Sequence, residues 1–185
     1  MKKYLYIKNM VCNRCKMAIL NVFNNQNIEV KTIQLGKITI DKKVEINYQK
    51  LDKQLKDLGF ELIKDPVDTL IEKIKIKLIQ YVENSNDNTI VTYLENEIGK
   101  SYTTLSKTFS KNEGITIEKY YINLKIEKVK ELIQMQKLNF SEIAYTLNYK
   151  NSSHLAKQFK QITGMSMTDY KSLQIDTRKT LDKIV

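Results

Sequence analysis

Cys12 and Cys15 are the only thiols in 185 residues, and they lie three apart in "NMVCNRCKMAI", residues 9–19. The apolar spacing that follows them predicts a helix, which puts the pair in a loop and the first helical turn. At that position the positive end of the helix dipole lowers a thiol's pKa and favours thiolate. Two soft thiolates with no third ligand nearby suit Cu(I), which accepts two sulfurs, better than Zn(II), which takes four ligands. A tetrahedral site would need ligands from another molecule. A lone CxxC is equally readable as a structural pair or as a redox pair. A thioredoxin-type pair is disfavoured, because "CNRC" lacks a proline and the surrounding elements come in the wrong order.

The elements that hold these thiols follow from hydrophobic period. "KYLYIKN" alternates as a strand, "NRCKMAILNVFNN" repeats at helical spacing, and "IEVKTIQL" and "KITID" alternate again across Gly36. Next comes "NYQKLDKQLKDLG", a helix expected to bury Leu51, Leu55 and Leu58 on one face and to end at Gly59, before the short strand "FELIK". The order is βαββαβ, an α+β ferredoxin-like plan, over residues 1–65. Pro66, the only proline, starts a strongly helical stretch and marks the expected boundary between two domains, 1–65 and 66–185. The helix that begins there, "DTLIEKIKIKLIQYV", has more isoleucine than one buried face needs, so the N-terminal domain is expected to pack against it.

"MVCNRC" resembles the M-x-C-x-x-C loop of heavy-metal-associated domains and copper chaperones, and "LKDLGFEL" is similar to their segment from second helix to last strand. That resemblance implies Cys12 and Cys15 as metal ligands, Met10 as a buried prop for the loop, and Phe60 as an aromatic shield beside the metal. It implies Cu(I) or another soft metal as ligand, with none required for folding. Asn9 and Val11 depart from the glycine and threonine most usual there.

After Pro66 the pattern is all-α and contains a repeat. "FSKNEGITIEKY" (109–120) and "FKQITGMSMTDY" (159–170) share Phe, Gly and Tyr at the same offsets, and "LSKTF" upstream matches "LAKQF". Helical breaks are expected at "NSNDN" (84–88), Gly99-Lys100, Gly114, Asn139, Asn148 and Gly164. Each copy reads as helix, tight turn, helix, with Gly99 or Asn148 where the backbone must turn left-handed. This is helix-turn-helix grammar, whose second helix enters the major groove of DNA. Between the copies, "TIEKYYINLKIEKVKELIQ" is a linker helix of about 20 residues, about 30 Å long. Successive major-groove faces are about 34 Å apart, so one chain could place two recognition helices in neighbouring turns.

The pieces "FSEIAYTLNYKNSSHLAKQFKQITGMSMTDY" and "LKIEKVKELI" resemble the AraC family of transcription regulators, over about residues 67–173. The resemblance implies that Thr103, Ser106, Lys107, Ser152, Ser153 and Lys157 face base edges, and that Thr104, Lys111, His154 and Lys160 meet phosphates. Leu105, Phe109, Leu155 and Phe159 would be core, holding each recognition helix to its partner. Lysine at 107 and 157, where the family has arginine, gives up bidentate pairing to guanine. Any one exposed lysine is more often a solvated face than a DNA contact. The duplication raises the set above that reading.

The formal net charge of +10 favours an anionic partner, nucleic acid first. Positive charge is spread over both halves, so it does not say which half meets DNA. There is no apolar run long enough for a signal peptide or membrane span, which leads us to expect a cytoplasmic protein. One histidine, no Gly-rich phosphate loop and no Ser/His/Asp grouping argue against an enzyme. The sequence reads as a cytoplasmic, sequence-specific transcription regulator that binds double-stranded DNA and responds to a metal ion, controlling metal homeostasis genes. Three alternatives remain: a copper carrier or buffer, a thiol-redox regulator using Cys12 and Cys15, and a regulator whose first domain serves only protein contacts. A homodimer is left open.

Overall fold

Alternating side chains in "KKYLYIK" put Leu5 and Ile7 on one face and Tyr4 and Tyr6 on the other, and this segment is strand β1, Lys2–Lys8. The computed structural model describes residues 2–84, 88–173 and 184. They fall into two compact units, 1–77 and 78–185. In the first, β1 is followed by α1 (Asn13–Asn24), β2 (Val30–Gln34), β3 (Lys37–Asp41), α2 (Tyr48–Asp57) and β4 (Glu61–Ile63). The sheet order is β2-β3-β1-β4, with each neighbouring pair antiparallel. Its core joins Leu5, Ile7, Ile38 and Ile40 of the sheet to Ile19 and Phe23 of α1 and Leu51 and Leu55 of α2.

Leu58, expected on the buried face of α2, is exposed. The regular helix stops at Asp57 and Leu58 is its C-cap at φ −101°, so the helical stripe no longer governs where its side chain points. Gly59, at φ +81°, takes the left-handed turn that follows.

Helix α3 (Pro66–Glu83) begins at the expected boundary, and the division between the compact units falls within it. Its first part belongs to the N-terminal unit. There Ile71, Glu72, Ile74 and Ile76 are buried, Lys73 Nζ lies 5.1 Å from the Tyr6 ring centroid, and the helix comes so close to the β2–β3 turn that a Cβ on Gly36 would collide with Ile76.

The second unit is helical: α4 (Ile90–Ile98), α5 (Tyr102–Glu113), α6 (Ile117–Met135), α7 (Phe140–Thr146), α8 (Ser152–Thr163) and α9 (Met167–Leu173). Of the break expected at 84–88, residues 85–87 lie outside the described residues. The repeat is visible in the fold. Helices α7, α8 and α9 begin 50 residues after α4, α5 and α6. Gly114 and Gly164 end α5 and α8 at φ +71° and +79°. Phe109 meets Tyr120 edge-on at 5.5 Å between centroids, and Phe159 meets Tyr170 the same way at 5.5 Å. Each Phe–Tyr pair fastens α5 or α8 to the helix that follows it. No helix among the described residues is long and apolar enough to cross a membrane.

Candidate nucleic-acid interface and thiol site

Leu105 and Phe109 on α5, and Leu155 and Phe159 on α8, are fully buried, as the sequence pattern required. With one face of each helix committed to the core, the opposite face must look outward. On α5, Thr103, Thr104, Lys107 and Lys111 are exposed and Ser106 is half-buried. On α8, Ser153, His154, Lys157 and Lys160 are exposed and Ser152 is half-buried. Thr103, Lys107 and Lys111 follow one another at i, i+4, i+8, and Ser153, Lys157 and Lys160 at i, i+4, i+7, so each helix carries a continuous hydroxyl-and-lysine stripe. That stripe can donate to base edges and to phosphate oxygens. The spacer α6 has 19 residues, about 28 Å at 1.5 Å per residue.

Local chemistry fixes where these helices start. Asn151 caps α8, its side chain accepting the His154 N–H at 2.8 Å. Ser101 stands at the same place on α5, but its hydroxyl pairs with the Thr104 hydroxyl at 2.9 Å and accepts no backbone N–H. The first turn is held another way, by the Tyr102 N–H donating to Glu95 at 2.6 Å and the Tyr102 hydroxyl donating to Glu118. Helix α7 begins with a capping box between Asn139 and Glu142.

Two features of this unit were not legible in the sequence. Tyr149, in the turn before α8, is buried and donates its hydroxyl to Gln158 at 2.6 Å, and its ring stands edge-on to His154. Lys125 of α6 is 7% exposed, with Nζ 3.6 Å from the centroid of Tyr149 and 5.4 Å from that of Tyr121. Burial pulls the Lys125 ammonium down to about 8 and pushes the Tyr121 phenol up to about 12. The available signal was the i, i+4, i+8 line Tyr121, Lys125, Val129, which puts this lysine on an apolar stripe.

In the N-terminal unit Cys12 is the N-cap of α1, and its sulfur accepts the Cys15 N–H at 3.4 Å. The two sulfurs are 3.1 Å apart, both half-buried and both free. Burial opposes ionisation of Cys12, but hydrogen bonds from the Cys15 thiol and from the Cys15 and Arg14 amides outweigh it and lower its pKa. Burial, helped by the bond to Cys12, raises that of Cys15. The two sulfurs are thus shifted in opposite directions, Cys12 toward easier ionisation and Cys15 away from it. Met10 is fully buried and Phe60 is 8% exposed, both in the core of this unit. Asn9 stands at φ +68°, a conformation that glycine and asparagine tolerate best. No group of three or more His, Cys, Asp or Glu side chains among the described residues could hold a metal ion. The donor set at this loop is two sulfurs, and its softness fits a two-coordinate thiophilic metal rather than a tetrahedral one.

Residues 94–172 match the family model described as a helix-turn-helix domain. Among solved structures, the C-terminal domain of AraT, a response regulator from Geobacillus stearothermophilus, is similar at 20% identity and TM-score 0.52, over 62% of this chain and 94% of that one. A DNA-binding transcriptional dual regulator from Escherichia coli K-12 is similar at 16% identity and TM-score 0.48, over 55% of this chain and 92% of that one. No curated protein matches the chain. Residues 94–172 thus match a helix-turn-helix domain model, and the chain shares the fold of that AraT domain.

Proposed function

We propose that this chain, with an AraC-type helix-turn-helix region, is a DNA-binding transcription regulator whose N-terminal unit binds a soft metal ion through Cys12 and Cys15. The observation that carries the DNA-binding part is the doubling. Two equivalent recognition helices, each with a buried Leu–Phe face and an exposed Ser/Thr/Lys stripe, are joined by a spacer of nearly one DNA turn. Lys107 and Lys157 lie at the centre of the two stripes and are the residues we assign to base edges, with Thr103, Ser106, Ser152 and Ser153 beside them. Thr104, Lys111, His154 and Lys160 flank these and are assigned to phosphates. Lysine-based readout leans on phosphate charge, so affinity should fall steeply with salt.

The metal-binding part is supported by sulfur geometry and by topology. The βαββαβ order and the sheet order β2-β3-β1-β4 support a ferredoxin-like reading of this unit, and the loop after β1 presents both sulfurs at a helix N-terminus. Cys12 and Cys15 would hold the ion, Met10 anchors their loop from the core, and Phe60 closes the core at the turn after Gly59. The biological reading is control of metal homeostasis genes.

Anaerobic Cu(I) titration of the full chain, with binding to a selected DNA duplex followed in the same samples, tests both parts. One Cu(I) per chain, lost in Cys12→Ser/Cys15→Ser, together with a metal-dependent change in DNA affinity of about 5- to 150-fold, is the expected result. Uptake of Cu(I) with identical DNA-binding curves would make the thiol unit a carrier. A DNA response to oxidant but not to metal would make it a redox device.

A further inference from the structure

We propose that Glu72 is a positioning residue for the thiol loop, a role that rests on reading Cys12 and Cys15 as metal ligands. The loop between β1 and α1 is tied down at three points. Met10 is fully buried in the core. The Asn9 side-chain N–H donates to the Gly59 carbonyl at 3.0 Å, joining the loop to the turn before β4. The third tie is the Asn9 backbone N–H, which donates to Glu72 Oε1 at 3.0 Å. Only this last partner comes from outside the βαββαβ unit, from α3, 63 positions along the chain.

Glu72 is 5% exposed. A carboxylate at that depth is costly unless its oxygens are hydrogen-bonded, and a bond from a backbone amide to a carboxylate is among the stronger kinds. Asn9 is also the residue whose left-handed backbone aims the loop, so the Glu72 oxygen stabilises the conformation that carries the chain toward Cys12. Helix α3 grips the same end of the sheet at two further places, Ile76 against Gly36 and Lys73 against Tyr6. Glu72 therefore sets the loop as part of a packed element rather than as a loose surface side chain. Groups that orient ligands from one shell out commonly matter about 10- to 100-fold in metal affinity. By reciprocity, an ion that fixes the loop must also act on this hydrogen bond.

The test compares Glu72→Met, which keeps bulk but removes the acceptor, with Glu72→Gln, which keeps an acceptor oxygen without charge. In the full chain, Glu72→Met should weaken Cu(I) binding at least about tenfold at unchanged stoichiometry, while Glu72→Gln stays within about threefold of wild type. The Asn9 amide should exchange faster in Glu72→Met, with the amides of Ile38 and Ile40 unchanged. Equal affinity in Glu72→Met and wild type, or equal losses in both variants, would overturn the assignment. If Glu72→Met does not fold, wild-type amide exchange decides: Asn9 must be protected in the metal-free chain and must change on Cu(I) addition, and an unchanged Asn9 overturns it. Failure of wild type to take up Cu(I) would overturn the metal reading and this role together.

Discussion

The two helix-turn-helix copies have recognition helices of equal length ended by the same glycine, yet they are locked by different means. In the second copy the left-handed residue is Asn148, three positions before the Asn151 cap; in the first it is Gly99, two before Ser101. The extra position is filled by Tyr149, which is buried over Lys125 and hydrogen-bonded to Gln158. The first copy instead uses glutamates, Glu95 and Glu118, against Tyr102. What the duplication keeps is the Leu–Phe face and the Phe–Tyr clasp; what it lets drift is the turn. A recognition helix needs only to be held rigidly, and several local chemistries achieve that.

This contrast can be broken most sharply in the part the copies share. Phe109→Ala and Phe159→Ala should each destabilise by about 3–5 kcal/mol in urea unfolding followed by circular dichroism, because each ring is fully buried and clasped by a tyrosine. A large gap between the two would deny their equivalence. The caps should then separate the copies. Asn151→Ala should cost about 1 kcal/mol, since its side chain satisfies the His154 N–H, whereas Ser101→Ala should cost clearly less, having no such bond to lose. Equal costs would mean that the turn before α5 depends on Ser101 in a way its geometry does not show.

A pH dependence is expected on the Lys125–Tyr149 side. Between pH 8 and 10 the folded chain has given up the Lys125 proton while the unfolded chain keeps it, so stability should rise with pH in that window. Above about 10 the sense reverses. Tyr121 stays neutral in the fold up to about 12, and Tyr149 also has its pKa raised by burial, while the unfolded tyrosines ionise. Denaturation midpoints measured from pH 7 to 10 should climb for wild type and stay flat for Lys125→Met. A climb of equal size in the variant would assign the effect elsewhere.

Where the sequence was readable, the reason was periodicity. Alternation marked β1, β2 and β3, and the Phe/Gly/Tyr offsets marked the repeat, because burial of one face imposes a period on the chain. Leu58 was misassigned because a helical period says nothing about where the helix stops. The fixation of the CxxC loop was only half legible. Asn9 in a glycine's place hinted at a left-handed residue, but its partner Glu72 lies in another element and no local pattern links them. Lys125, Glu127 and Lys130 were hidden for a different reason. Lysine and glutamate in a polar-looking helix read as surface, and only the packed helices around α6 make them interior.

The central claim is that one chain reads two successive major-groove faces with equivalent helices. Footprinting of the full chain on a duplex selected from random sequence, at fixed moderate salt, tests it most directly. Two protected patches on one face of the DNA, about 34 Å apart, are expected, with Lys107→Ala weakening protection at one and Lys157→Ala at the other, each variant losing about 1–3 kcal/mol of affinity. A single patch, or two patches unchanged by both substitutions, would contradict it.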